Sequence, residues 1–197
     1  YKTIGGSGDA ITTAIIKNRA SSWNNATDLV TTCDVSSITD MSQMFLNNTT
    51  FDQDLSAWDT SSVENMRSMF SGAAALTEVS LPDTGEVTTM YAMFSNANKL
   101  ATVSLPETGK VIRMDFMFLN MYNNPTALTS VSLPTTGNVT MMIGMFRNLE
   151  KLATVSLPET GKVTNMSYMF YGASSFAQDI RGLDVSAVTS FSNMFNG

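Results

Sequence analysis

Reduced to apolar and polar positions, residues 30–197 repeat one pattern, V-x-x-M-x-x-M-F. It reads Val63, Met66, Met69, Phe70 in one copy and Val87, Met90, Met93, Phe94 in the next, and it recurs seven times. Ile38 replaces Val in the first copy, and Phe191 replaces the first Met in the last. The Met-Phe pairs at 44, 69, 93, 117, 145, 169 and 194 are spaced by 25, 24, 24, 28, 24 and 25 residues. The one long step contains four extra residues within MYNNPTAL (121–128), around Pro125. Two residues after each Phe stands Asn or Gly: Asn47, Gly72, Asn96, Asn120, Asn148, Gly172 and Gly197. These residues enter the left-handed conformation cheaply, so S-x-M-F and its equivalents are predicted to form a short helical turn closed by that residue. Further on come Val79-Ser80-Leu81, Val103-Ser104-Leu105, Val131-Ser132-Leu133 and Val155-Ser156-Leu157. Their alternation predicts strands with Val and Leu inward and Ser outward.

No single unit of this kind buries its Val, Met, Phe and Leu alone, so the repeat predicts a stacked solenoid. The expected fold is leucine-rich-repeat-like, with seven coils of 24–28 residues, each a short parallel strand, a turn and a short helical turn. At strand spacing the seven coils make a rod about 34 Å long. Thirteen of the fifteen Met occupy motif positions, the exceptions being Met121 and Met141. That phase makes them a Met-Phe core in which sulfur packs against aromatic rings, rather than thioether ligands for a soft metal. Cys33 aligns with Trp58 and Leu183 and is expected to be buried. Residues 1–29 depart from the repeat. A Gly-rich entry followed by a helix from about Asp9, with Ile11, Ala14 and Ile15 on one face, is expected to cap the first coil.

Composition narrows function mainly by exclusion. A net charge of −6 with no basic cluster in the chain argues against nucleic acid as a partner. No apolar run approaches the length needed to span a bilayer. There is no His, no nucleophile elbow, no phosphate-cradling glycine loop and no metal-ligand spacing, so neither an enzyme nor a cofactor is expected. The acidic residues of the longer coils, Asp52, Asp54, Asp59, Asp179 and Asp184, match no calcium loop and read as turn residues. N-x-S/T sequons at Asn25, Asn47, Asn48, Asn138 and Asn165 need no glycosylation to explain them in a chain this rich in Asn, Ser and Thr.

Four pentapeptides, LPDTG at 81–85, LPETG at 105–109 and 157–161, and LPTTG at 133–137, resemble the sorting signal that sortases use to couple proteins to bacterial cell walls. All four lie at one phase of the repeat, where other coils carry WDTSS (58–62) and LDVSA (183–187), and no apolar segment with a basic tail follows them. They are predicted to be corners, with Pro ending the strand and Thr-Gly turning the chain.

The flanking coils use a longer form, FDQDLSAWDTSSV (51–63) and FAQDIRGLDVSAV (176–188), followed by ENMRSMF or TSFSNMF. This form resembles the BspA-like repeat of bacterial surface proteins, also found in mycoplasma lipoproteins. The shorter middle form is similar to the related BspA-type leucine-rich repeats. The resemblance implies an extracellular, cell-surface or virion-surface solenoid concerned with adhesion, with a host protein or glycan as ligand and no catalytic residues. Recognition on a regular scaffold is expected where the repeats differ. That singles out Tyr122, Asn123 and Asn124 in the insertion, with Arg147 and Tyr171 near the same phase. An alternative is a structural subunit of a filament, appendage or virion, stacked head to tail through Phe191, Met194 and Phe195 at an open last coil. That end is expected either to continue in a longer chain or to be covered by another subunit. A more distant alternative is ice binding through the outward row of Glu78, Ser80, Thr102, Ser104, Ser130, Ser132, Thr154 and Ser156.

Overall fold

The inward positions of every unit stack on those of the next, and this ladder is the architecture. The computed structural model describes residues 34–122 and 124–196. The expected cap at 1–29, Cys33, Asn123 and Gly197 lie outside them. Single parallel bridges join the same position of all seven coils, Asp40, Asn65, Thr89, Arg113, Met141, Asn165 and Ser190 in order. Four coils add a three-residue strand: β1 (Glu78–Ser80), β2 (Thr102–Ser104), β3 (Ser130–Ser132) and β4 (Thr154–Ser156). β1 pairs in parallel with β2, Val79 opposite Val103, and β3 with β4, Val131 opposite Val155. The insertion falls between β2 and β3, and the two pairs stay separate sheets. Val79 and Leu81 are buried while Ser80 is exposed, as the alternation predicts.

The V-x-x-M-x-x-M-F segment differs from its expectation. No helix is present among the described residues; the segment is a run of overlapping tight turns. In the first coil Met44, Leu46 and Asn48 donate their N–H to the carbonyls of Met41, Gln43 and Phe45, three residues back. The alternate amides of Met41, Gln43, Phe45 and Asn47 donate instead to Asn65, Arg67, Met69 and Ser71 of the next coil. An α-helix would need every N–H directed four residues back. Here every second one is committed to the neighbouring coil. Left-handed residues four apart, Gln43 at φ 59° and Asn47 at φ 56°, keep the chain turning. The expected left-handed closers Gly72, Asn96, Asn148 and Gly172 also have positive φ.

Packing follows from this geometry. Val63, Val87, Val111, Val139 and Val163 are fully buried, as are the Met residues beside them. Phe45, Phe70, Phe94, Phe118, Phe146, Phe170 and Phe195 form one offset stack with centroids 5.3–5.8 Å apart. That spacing lies in the favourable range for aromatic pairs. The pentapeptide Thr is buried too. The hydroxyls of Thr60, Thr84, Thr108 and Thr160 donate to the backbone carbonyls of Asp83, Glu107, Thr135 and Asp184 in the following coil, and that of Thr136 donates to Pro158. Each LPxTG is therefore a corner fastened to its neighbour by a threonine hydroxyl.

The sheets end differently on their two sides. Beyond β4, the Gln178 side chain both accepts from Val155 N–H (2.7 Å) and donates to Val155 C=O (2.9 Å). One amide thus imitates the next strand. Gln53, in the matching place before β1, bonds the Asp52 carbonyl instead and borders a hollow of about 230 Å³ floored by Phe51, Leu55 and Val79.

Candidate functional site

The turn run that binds coil to coil also projects a row of side chains outward, and here the coils stop being alike. Between the two Met of coils one to six stand two residues, some projecting outward and others, such as Asp115, buried. They include Arg67 in the second coil, Tyr91 in the third, Phe116 in the fourth, Gly144 in the fifth and Tyr168 in the sixth. Arg113 precedes Met114, and Arg147 and Tyr171 follow the ladder Phe of their coils. Stacking turns these scattered residues into one band.

Its geometry is specific. The guanidinium carbons of Arg67 and Arg113 lie 4.4 and 5.2 Å from the Tyr91 ring centroid. The Tyr91 ring in turn meets Phe116 edge-on at 5.8 Å. One coil further, Arg147 lies 5.2 Å from Tyr168 and 4.9 Å from Tyr171. Gly144 leaves space for Phe116, since a Cβ there would sit 2.8 Å from the Phe116 ring. Phe116 and Tyr168 adopt φ of 56° and 59°. The residue at this place is left-handed in all seven coils, Gln43, Ser68, Ala92, Gly144 and Asn193 included, so the conformation belongs to the turn run and lets it present a bulky ring here.

Polar satisfaction is also unusual here. In coils one, two, three and six a turn side chain (Asp40, Asn65, Thr89, Asn165) accepts the N–H two residues on. In the fourth coil Arg113 occupies that place and cannot accept. Its Nε donates instead to Oδ2 of Asp115 at 2.9 Å. Asp115 is fully buried, and among the described residues neither its Oδ1 nor the buried Nε of Arg147 has a partner. Unpaired buried polar atoms are costly and rare.

The residues singled out in the sequence separate. Arg147 and Tyr171 come together in the band. Tyr122 is 70% exposed and makes no ring contact with the band among the described residues. Asn124 is tied into the insertion, its N–H donating to Asn120 Oδ1 while its carbonyl accepts from Asn120 Nδ2. Asn123 lies outside the described residues. Phe195 stacks on Phe170 and Met194 is buried, while Phe191 and the outer face of Phe195 are open. Arg67, Tyr91, Arg113, Asp115, Phe116 and Tyr168 were not singled out by sequence reasoning. The aromatic rings of Tyr91, Phe116 and Tyr168 among small and polar residues, and Arg113 in a row mostly of acceptors, were the available signal, while Arg67 and Asp115 gave none.

Four of the acidic residues of the longer coils act as turn caps, while Asp52 instead accepts the N–H and hydroxyl of Thr77 in the next coil. Asp54, Asp59 and Asp184 accept the N–H of Ser56, Ser61 and Ser186, while Asp179 pairs with Arg181. The Ser61 hydroxyl and then its N–H hold the Asp59 carboxyl below the usual aspartate range, and Ser36 and Ser186 do the same for Asp34 and Asp184. No helix among the described residues is long and apolar enough to cross a membrane.

Coils of this length joined by parallel bridges, four of the seven adding a short strand where one was expected in each, define a leucine-rich-repeat-like solenoid. The chain is similar to a leucine-rich repeat protein from Eubacterium ventriosum solved by crystallography, with 20% identity and a TM-score of 0.62 over 82% of this chain. It spans 41% of the length of that protein. No curated protein matches the chain. The family described as "Mycoplasma protein of unknown function, DUF285" matches residues 14–131 and 120–197, and the chain belongs to it.

Proposed function

We propose that this solenoid is a non-catalytic recognition module displayed at a cell or particle surface, and that the arginine–aromatic band is its contact surface. The band is the observation that carries this reading. Arg and Tyr are the residues in which interface hot spots are enriched, because both give large contact area with directional donors. Here they are held by one another on a rigid ladder, which lowers the ordering cost of binding. Membership of a leucine-rich-repeat class, whose stacked surfaces serve as extended binding faces, supports the same reading. So does the resemblance of its repeats to those of bacterial surface proteins.

The test is adhesion of the purified chain to cultured epithelial cells and to immobilised extracellular matrix. Wild type is compared with Arg67→Ala/Arg147→Ala and with Lys99→Ala/Lys151→Ala, which removes two exposed charges outside the band. Selective loss in the band variant, with unchanged thermal melting, is the expected result. Equal adhesion by all three would assign contact to another surface.

A further inference from the structure

We propose that the band takes an acidic polysaccharide, laid along the solenoid axis and held through its carboxylate or sulfate groups by Arg67, Arg113 and Arg147. This rests on the reading of the band as the contact surface and names its ligand class. The charge comes first. In a chain of net charge −6, three guanidiniums share one face. Only Asp115 among the described residues pairs with them, through a single oxygen on Arg113. Among the described residues Arg67 and Arg147 have no carboxylate partner, although acidic residues outnumber basic ones. Each guanidinium lies against an aromatic ring, so its fork of N–H donors is oriented before a ligand arrives. That suits bidentate capture of a planar or tetrahedral oxyanion.

Backbone bonding then separates polysaccharide from peptide. Along this face the amides of Ser68, Ala92, Phe116, Gly144 and Tyr168 all donate to the next coil. The face offers no open strand edge, and an extended acidic peptide has no main-chain groups to pair with. A polysaccharide needs none, because it is held at its pendant charges. Spacing agrees with a linear polymer. Arg67 and Arg113 lie two coils apart, about 10 Å at strand spacing, and Arg147 lies one coil beyond. At the last arginine of the run, Arg147, the buried Nε has no partner among the described residues, while the Asp115 carboxylate offsets part of the charge of Arg113.

The experiment is retention and Kd measurement on immobilised heparin (sulfated), polygalacturonate (carboxylated), dextran (neutral) and poly-glutamate (acidic peptide). Wild type, Arg67→Ala, Arg113→Ala, Arg147→Ala, Arg113→Lys and Lys99→Ala/Lys151→Ala are compared, with circular dichroism melts as the folding control. The expected result is salt-sensitive binding to at least one acidic polysaccharide and none to dextran. Which acidic polysaccharide is retained distinguishes sulfate from carboxylate. Each Arg→Ala should weaken binding about tenfold or more, and Arg113→Lys should restore only part of it, since charge returns without the fork. Poly-glutamate bound as tightly, and lost equally in the band variants, would overturn the polysaccharide class while leaving the contact surface standing. Polysaccharide binding untouched by the band variants but lost in Lys99→Ala/Lys151→Ala would overturn both. Absence of binding to either acidic polysaccharide would overturn the proposal alone, since cell adhesion tests the surface independently.

Discussion

Thr108 condenses the logic of a single residue in this molecule. Its sequence context looks like a processing signal, yet its side chain is buried and its hydroxyl holds the carbonyl of Thr135 in the next coil. Thr108→Val keeps the shape and removes the donor, so it should destabilise by about 1–2 kcal/mol, with Thr108→Ser losing less through this bond. Urea unfolding followed by circular dichroism reads the difference. Exposed turn aspartates act in the opposite register, through charge. Serine donors depress the carboxyls of Asp34, Asp59 and Asp184 in the folded chain. A depressed folded value means the contribution is present at neutral pH and is lost as pH falls through that value, below about pH 4. Melting temperature should therefore fall on acidification toward about pH 3. Asp59→Asn, which keeps an acceptor but does not titrate, should flatten that fall. An undiminished fall in the variant would assign it to other groups.

At the scale of the element, the ladder and its edge make separate predictions. Phe94 lies within the ring stack between Phe70 and Phe118, so Phe94→Ala should cost about 3–5 kcal/mol in chemical denaturation. Phe195 keeps one face in solvent and should cost clearly less. Gln178→Ala would leave the Val155 N–H and C=O unpaired at a sheet edge. The expected result is a loss of about 1–3 kcal/mol and concentration-dependent association in light scattering. Elements also show what the sequence made legible. The period, the inward set and the pentapeptide corners could be read, because burial and turn chemistry repeat with the letters. The turn run could not. V-x-x-M-x-x-M-F places apolar residues at i, i+3, i+6 and i+7, which is a helical spacing. Only the commitment of alternate amides to the next coil distinguishes the two forms, and that is a tertiary fact.

Across the whole molecule, legibility fails at the band for a related reason. Arg67 and Tyr91 share one phase of their units, Arg147 and Tyr171 another, and Arg113 and Tyr168 two more, all far apart along the chain. Nothing local marks them as neighbours until the coils stack. Tyr122 and Asn124 stood out in the sequence because an insertion is irregular, and irregularity along the chain is a different property from convergence in space. The insertion has another consequence. A ladder of near-identical rungs offers the folding chain many nearly equivalent partners: a coil that skips its neighbour and docks on the one after still finds Val, Met and Phe in place. Such mis-threaded stacks bury much of the same surface, so core packing alone discriminates weakly against them. The odd features supply the address labels. Four extra residues around Pro125 belong to one step between coils, Trp58 fits one end, and Gln178 closes only the edge of β4. Regularity makes the rod stable, and its few irregular coils tell each rung where it belongs.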